Sequence, residues 1–389
     1  MQPPDSKLPD VGTTIFAVIS QRAAELGAVN LGQGFPDYEI DPRLGELVHE
    51  AMRAGFNQYA PMAGSLALRA QIALKLKRSY HIDVDPDREI TVTVGATESL
   101  FSAVQALVMP GDEVIVFDPA YDAYDPAVRL AGGRCLHLPL LPPAFGHDWE
   151  RVAAAITTRT RLIILNSPHN PGCSCLSPAD LPQLAALVRD RPIRIVSDEV
   201  YEHVVFDGGT HHSVLALPEL RERSVAVFSF GKTLHATGLR VGYAVAPPAL
   251  TAELRKVHQF NTFSVAHALQ QAIAHYLQEQ PDCGVRLAGF FQQRRDRLRS
   301  ALAGSGLELP PAAGAYFQLA DYSRWSRQDD VAMARELLEE AGVATIPLSP
   351  FYREPPPLRL LRLCIAKRET TLDAGAQRLL EYAARRGWA

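Results

Sequence analysis

Six short apolar runs recur along the first two-thirds of the chain, at 90–94, 113–117, 161–165, 193–196, 225–228 and 241–245. Each has the length of a strand, β-branched residues are frequent in them, and amphipathic stretches such as 181–188 lie between. Apolar strands alternating with helical periods predict βα units and a mostly parallel sheet covered on both faces. After Ala268 the pattern changes. Charged helical stretches at 290–301 and 329–341 frame isolated apolar segments at 315–319 and 358–365, which reads as a second, smaller α/β domain. The first forty residues hold short apolar pieces of their own that suit either unit.

In such sheets ligands collect at the carboxyl ends of the strands, so the residues just past each run matter most. The first run leads into Gly95-Ala96-Thr97-Glu98-Ser99, expected to open a helix near Leu100, and the second into a proline turn with Tyr121. The next three lead into Asn166-Ser167-Pro168-His169-Asn170, Ser197-Asp198-Glu199-Val200-Tyr201 and Ser229-Phe230-Gly231-Lys232-Thr233. Ordinary polar loops account for the Ser and Asn. They do not account for a carboxylate and an amine emerging directly from apolar β-runs, whereas one clustered site does.

Asp198 at a sheet's end is costly to bury without a cationic or hydrogen-bonding partner, and a protonated pyridine nitrogen is one such partner. Tyr201, three residues on, is placed to donate to a phenolate-like ring oxygen. Lys232 enters an apolar, hydroxyl-bearing setting, where a desolvated amine becomes a nucleophile or imine partner. Ser229 and Arg240 flank it and suit a phosphate dianion. The backbone and hydroxyl at Thr97 make a phosphate cradle at a helix start; alone, Thr97 reads equally as a helix cap. Tyr121 suits stacking on a flat ring, and alone reads equally as a turn tyrosine. Taken together these groups match the needs of pyridoxal phosphate. No metal is required and no metal set is expected: Cys173-Ser174-Cys175 has the wrong spacing for a zinc knuckle and no second half.

Composition narrows the class further. The chain has 389 residues and a formal net charge of −4, which disfavours a nucleic-acid binder. No apolar run reaches the ~18–20 residues of a membrane helix. The start, Met1-Gln2-Pro3-Pro4-Asp5-Ser6-Lys7, lacks the basic and apolar stretches of a signal peptide. The five cysteines (135, 173, 175, 283, 364) are scattered and odd in number, so no disulfide framework is expected and the expected compartment is the cytoplasm. A nicotinamide dehydrogenase is disfavoured because no G-x-G-x-x-G follows a strand.

The segments Asn30-Leu31-Gly32-Gln33-Gly34-Phe35-Pro36-Asp37, Asn57-Gln58-Tyr59-Ala60-Pro61, Gly95-Ala96-Thr97-Glu98, Asn166 to Pro171, Ser197 to Tyr201, Ser229 to Thr233, Thr237 to Gly242 and Leu361 to Ala366 run in order along the chain. In these the sequence resembles the class I/II pyridoxal-phosphate aminotransferases of fold type I. Thr14-Ile15-Phe16, Gln58 to Met62, Lys256 to Ser264 and Ile346 to Ser349 look closest to the methionine aminotransferase branch, a neighbour of the kynurenine aminotransferase and glutamine transaminase group. The resemblance implies a large cofactor domain with a mostly parallel central sheet at 44–275, a small C-terminal α/β domain at 276–389, and an N-terminal segment, 1–43, packing with the small domain. It further implies that Lys232 forms the cofactor imine and shuttles the substrate proton, and that Asp198 keeps the pyridine nitrogen protonated. Asn170 and Tyr201 would bond the ring oxygen, and Tyr121 would stack on the ring. Ala96, Thr97, Ser229 and Arg240 would hold the phosphate. Tyr59 would reach the phosphate of a neighbouring subunit in a homodimer, and Arg362, helped by Gly34 and Asn170, would clamp the substrate carboxylate. One departure is visible: Gly172-Cys173 stands where the family usually has Thr-Gly.

Aromatic residues beside the motifs (Phe16, Phe35, Tyr59, Phe351, Tyr352), with no second arginine for another carboxylate, favour methionine and other bulky uncharged or aromatic amino acids, with Phe351 a substrate-wall residue. The expected reaction is ping-pong transfer of the amino group to a 2-oxo acid. The alternative is a kynurenine/glutamine-type transaminase with cysteine-S-conjugate β-lyase activity. A pyridoxal-phosphate-binding regulator is disfavoured, because the Gln33-Gly34-Phe35-Pro36 motif comes too early to leave room for a DNA-binding domain.

Overall fold

The computed structural model describes residues 5–388. Met1–Pro4, on which part of the signal-peptide reading rests, lie outside the described residues. The central sheet has seven strands, in the spatial order Ile90–Thr93, Gly242–Val245, Ser224–Ser229, Arg194–Asp198, Thr160–Asn166, Glu113–Asp118, Arg134–Pro139. All neighbouring pairs are parallel except those made by Gly242–Val245, which runs antiparallel to both its partners. The six apolar runs are thus six of the strands. Their near-continuous burial is the signature of strands covered on both faces. The seventh, Arg134–Pro139, forms one edge and is only half-buried.

Helices sandwich this sheet. Gly95–Leu107 packs on one face through Leu100, Ala103 and Val104, against Val114, Val116, Ile164 and Val196. The helix begins at Gly95 rather than near Leu100, so Thr97 lies inside its first turn; the capping position is Val94, with no side-chain cap. Gly95 makes this possible by taking φ +72°, a conformation that L side chains avoid. Buried Glu98, in the first turn, reaches back to accept the N–H of the capping residue Val94 at 3.1 Å, as the glutamate of a capping box does.

A three-stranded antiparallel sheet, Ile346–Pro347, Leu360–Cys364, Phe317–Asp321, forms a second layer toward the C-terminus. Leu287–Ala301 and Glu369–Arg386 pack together beside it. Val29–Asn30 pairs in parallel with Val343–Ala344. The helix Ile15–Leu26 buries Ile19 and Ala23 against Leu338, Ala344, Ile346 and Phe351. Pro42–Arg53 instead lies along His267–Glu279, where Tyr276 donates to Asp41 Oδ2 at 2.8 Å. Among the described residues no helix is long and apolar enough to cross a membrane.

Candidate active site

The strands Thr160–Asn166, Arg194–Asp198 and Ser224–Ser229 end side by side, opposite the N-terminus of Gly95–Leu107. A cavity of ≈ 150 Å³ opens there, lined by Ala96, Thr97, Leu100, Tyr121, Asn166, Asn170, Asp198, Val200, Tyr201, Ser229, Lys232 and Arg240. Every expected cofactor residue is in that lining except Tyr59. Asp198 and Lys232 therefore face the same space.

Asp198 is buried at the last position of its strand. Burial pushes its carboxyl up to about 6, and the Tyr124 hydroxyl and the Val200 N–H pull against that rise. Tyr124, itself buried, donates to Asp198 Oδ2 at 2.7 Å, and Val200 N–H donates to Oδ1 at 3.3 Å. These two bonds aim the carboxylate and keep its anionic form within reach of neutral pH.

Lys232 stands on the one-turn helix Phe230–Thr233 directly after Ser229. Burial lowers its amine to about 8, the pull of Asp198 opposing the shift. Its Nζ donates to the Tyr316 hydroxyl at 2.7 Å, and that hydroxyl donates on to the Gly34 carbonyl. The Tyr201 ring meets Tyr316 edge-on with centroids 4.9 Å apart. Burial also raises the Tyr201 phenol well above its ordinary value, so it stands as a neutral donor.

The far end of the cavity is a cradle with no room for side chains. A Cβ on Gly95 would lie 2.6 Å from Arg240 Nη2, and one on Gly242 would lie 2.6 Å from the Ala96 nitrogen. The guanidinium of Arg240 thus sits against the helix N-terminus, where backbone N–H groups, the helix dipole and the Ser229 hydroxyl converge: a dianion site.

On the other side Arg362, in the middle strand of the small sheet, is 1% exposed. It donates from Nη1 to Asn170 Oδ1 at 2.6 Å and from Nη2 to the Gly32 carbonyl at 3.0 Å, while its buried Nε has no partner among the described residues. The Phe317 ring lies 4.0 Å and the Phe16 ring 5.0 Å from its guanidinium carbon. Phe16 in turn meets Phe351 at 5.3 Å. Gly34 lies in the same neighbourhood, where a Cβ would come within 3.1 Å of Phe317. An orphaned donor on a buried guanidinium walled by aromatics is a seat for a carboxylate bearing an apolar substituent.

Tyr59 stands apart from the others. It is 82% exposed, packed edge-on to Phe263 at 5.3 Å, and the single chain does not bring it to the cavity.

Three residues at the site lie outside the sequence expectations. Tyr124 and Tyr316 carry no local signal. Asn166 has one: it opens the motif ending at Asn170, and its Oδ1 accepts the Asn170 N–H at 2.8 Å while its Nδ2 donates to the Asp198 carbonyl at 3.0 Å. At the Gly172-Cys173 departure the backbone of Cys173 takes φ 61°, the conformation the usual glycine relieves, at a cost of roughly 1–3 kcal/mol. The loop is nonetheless tightly held: Gly172 N–H donates to His169 Nδ1, and the Cys173 carbonyl accepts from Ala313 and Gly314.

Known proteins resemble this chain over almost its whole length. The family described as aminotransferase class I and II matches residues 27–379. A methionine aminotransferase of Escherichia coli strain K12 is 51% identical, over 97% of each chain. A solved E. coli structure, whose study identified a methionine aminotransferase function, superposes with TM-score 0.96 at 50% identity, over 97% of this chain and 99% of that one. The N-succinyldiaminopimelate aminotransferase of Mycobacterium tuberculosis superposes with TM-score 0.94 at 37% identity, over 97% of this chain and 100% of that one. The human kynurenine–oxoglutarate transaminase 1 is 32% identical, over 92% of this chain and 93% of that protein. With the family matched over 27–379 and the fold shared almost end to end, the chain belongs to the class I and II aminotransferases and is a transaminase.

Proposed function

We propose that this enzyme uses pyridoxal phosphate to move the amino group of methionine, or of another bulky uncharged or aromatic L-amino acid, to a 2-oxo acid. The observation that carries the cofactor is the enclosure of Asp198 and Lys232 in one small cavity that ends in a dianion cradle without room for a Cβ. The residues fit the group. Asp198 would face the ring nitrogen, Asn170 and Tyr201 the ring oxygen, and Tyr121 a ring face. Ala96, Thr97, Ser229 and Arg240 would hold the phosphate.

When bound, the cofactor supplies a carbonyl that takes up the amino group and a ring that accepts electron density. The chain's own part is positioning, charge and proton handling. Lys232, with its amine lowered to about 8 by burial, carries the substrate Cα proton near neutral pH. Its bond to Tyr316 keeps Nζ aimed while the amine is free. Asp198, anionic at neutral pH, favours a protonated ring nitrogen. Arg362, held by Asn170 and Gly32, offers its unmet Nε donor to the substrate α-carboxylate. Phe16, Phe351 and Phe317 leave an apolar wall for the side chain. The 51% identity to a methionine aminotransferase supports methionine within that class.

We also propose a homodimer in which Tyr59 completes the neighbouring site. Its 82% exposure, with Phe263 against it at 44% and Met52 in the same hollow at 53%, supports an apolar surface that a second copy covers. The three-part organisation stands as a proposal with both junctions moved: the helices Pro42–Arg53 and His267–Glu279 run through positions 43 and 275, so the units are better divided before Pro42 and after Glu279. A cytoplasmic setting is supported by five unpaired cysteines.

The test is to incubate purified enzyme with pyridoxal phosphate, methionine and a 2-oxo acid, and to follow the visible cofactor band and the products. Formation of the methionine-derived 2-oxo acid with stoichiometric amino acid supports the reading. Absence of a cofactor band defeats it. Release of pyruvate and ammonia from a cysteine S-conjugate, faster than methionine transfer, would favour the β-lyase alternative.

A further inference from the structure

A trough of ≈ 920 Å³, much larger than the cofactor cavity, runs along the edge strand Arg134–Pro139 and takes no part in the site above. Side chains two apart on a strand share a face, so Cys135 and His137 project together. The helix Tyr124–Leu130, packed against that strand, adds Asp125. Asp125, Cys135 and His137 each present one ligand atom, all within 4.8 Å of one another, and all three residues are partly buried. His137 Nε2 lies 3.4 Å from Asp125 Oδ1. Bonds of about 2.0 Å to nitrogen or oxygen and about 2.3 Å to sulfur set the edges of a tetrahedral zinc site at roughly 3.3–3.5 Å. The nitrogen–oxygen pair already stands at such an edge, and the Cys135 sulfur, within 4.8 Å of both, has at most about 1.3 Å to close.

The supporting groups are also in place. His137 Nδ1 lies 2.8 Å from Asp118 Oδ1, and Arg129 Nη1 donates to Asp125 Oδ2 at 3.2 Å. Each of these bonds occupies the atom an ion would not need. A carboxylate behind a ligating imidazole fixes the ring's orientation and raises its basicity, which is the usual arrangement behind metal-bound histidines. Asp118 is anchored in turn, because its Oδ2 accepts the Arg353 N–H at 2.7 Å.

We propose that Asp125, Cys135 and His137 form a binding site for one zinc-class divalent ion, with water as the fourth ligand. A thiolate, an imidazole and a carboxylate select a borderline-soft transition ion over magnesium or calcium. The exchange balances. One dication enters, and two protons leave: that of the Cys135 thiol and the one held between His137 Nε2 and Asp125. The local net charge is unchanged, so Arg129 and Arg134 beside the trough meet no added positive charge. The sequence offers only the Cys-x-His pair at 135 and 137, since Asp125 joins it through tertiary packing. The site also touches the catalytic machinery from behind. Asp118 and Asp125 bracket the segment that carries Tyr121 and Tyr124, and an ion at Asp125 ties that segment to the edge strand.

The test is titration of the cofactor-loaded enzyme with cobalt(II) alone, recorded as difference spectra for the natural chain, Cys135→Ser and His137→Gln. The expected result is one equivalent bound, with tetrahedral ligand-field absorption and a thiolate-to-metal charge-transfer band, all displaced by zinc(II). Cys135→Ser abolishes the charge-transfer band, and His137→Gln weakens binding at least about tenfold. No saturable uptake, weak octahedral absorption only, or a charge-transfer band that survives Cys135→Ser each overturns the proposal. Should His137→Gln fail to fold, the near-isosteric serine variant, checked by its melting curve, carries the test alone.

Discussion

Replacing Asp198 with asparagine should stabilise the cofactor-free protein while weakening its hold on the cofactor. In the cofactor-free protein burial moves the Asp198 carboxyl from 3.8 to about 6. A carboxyl whose folded value is raised favours folding less as pH climbs: the cost is absent below 3.8, grows between 3.8 and about 6, and is complete above. At 1.36 kcal/mol per unit, the shift of about 2 units amounts to about 3 kcal/mol near neutral pH. Asparagine carries no charge to desolvate and keeps an oxygen to accept from the Tyr124 hydroxyl, forfeiting only the long 3.3 Å bond from the Val200 N–H. With an unfolding entropy of roughly 2.1 cal/mol/K per residue over 389 residues, about 3 kcal/mol corresponds to an upward shift in apparent Tm of about 4 °C.

The same 3 kcal/mol or so is recovered in the natural protein when a cationic ring nitrogen meets the carboxylate, and asparagine cannot recover it. Cofactor retention should therefore fall by roughly a hundredfold. Calorimetry of cofactor-free protein at pH 7.5 and pH 5, with cofactor titration alongside, checks both halves. The apparent Tm gain should shrink to about half at pH 5, where only part of the cost has accumulated. An Asp198→Asn protein that melts no higher than the natural one when cofactor-free, or that holds pyridoxal phosphate equally well, would refute the assignment of Asp198 as a strained anion awaiting a cation.

Because burial lowers the Lys232 amine to about 8, the rate at which cofactor-free enzyme develops its cofactor absorbance should rise with pH through a midpoint near 8 and level off above it; a midpoint near the ordinary lysine value of 10.5 would contradict this. Arg362→Lys forfeits one or two charge-assisted bonds, each worth about 1.5–3 kcal/mol, so KM for the amino donor should rise about 10–100-fold, more than kcat falls, in steady-state kinetics. Mixing two inactive variants, Lys232→Ala and Tyr59→Ala, and allowing subunits to exchange should restore activity that neither has alone, since the hybrid dimer holds one intact site; no recovery, with exchange verified by mass, would remove Tyr59 from the neighbouring site. Gly95→Ala would force a Cβ to 2.6 Å from Arg240 at φ +72°, so a loss of roughly 1–3 kcal/mol in stability, with weaker phosphate retention, is expected from melting and cofactor titration.

How much of this is legible in the sequence depends on where each residue's signal lies. Strands buried on both faces must be apolar throughout, so Glu113–Asp118, Thr160–Asn166 and Ser224–Ser229 announce themselves as runs. The edge strand Arg134–Pro139 is half-buried and interrupted by Arg134 and His137, so it makes no run to read. Asp198 and Lys232 stand out because each is a charged type where the surrounding pattern asks for an apolar one, a conflict that burial makes costly and a ligand resolves. Tyr124 and Tyr316 show no such conflict: a buried tyrosine near a strand is unremarkable until its hydroxyl is seen to meet Asp198, 74 positions away, or Lys232, 84 positions away. Groups that carry charge into the interior are therefore visible locally, while the neutral groups that aim them become visible only once the chain has folded. The same division separates Cys135 and His137, a pair on one strand face, from Asp125, which reaches them through helix packing. Chemistry assembled by long-range contact between individually ordinary residues is where the structure adds most to the sequence of this enzyme.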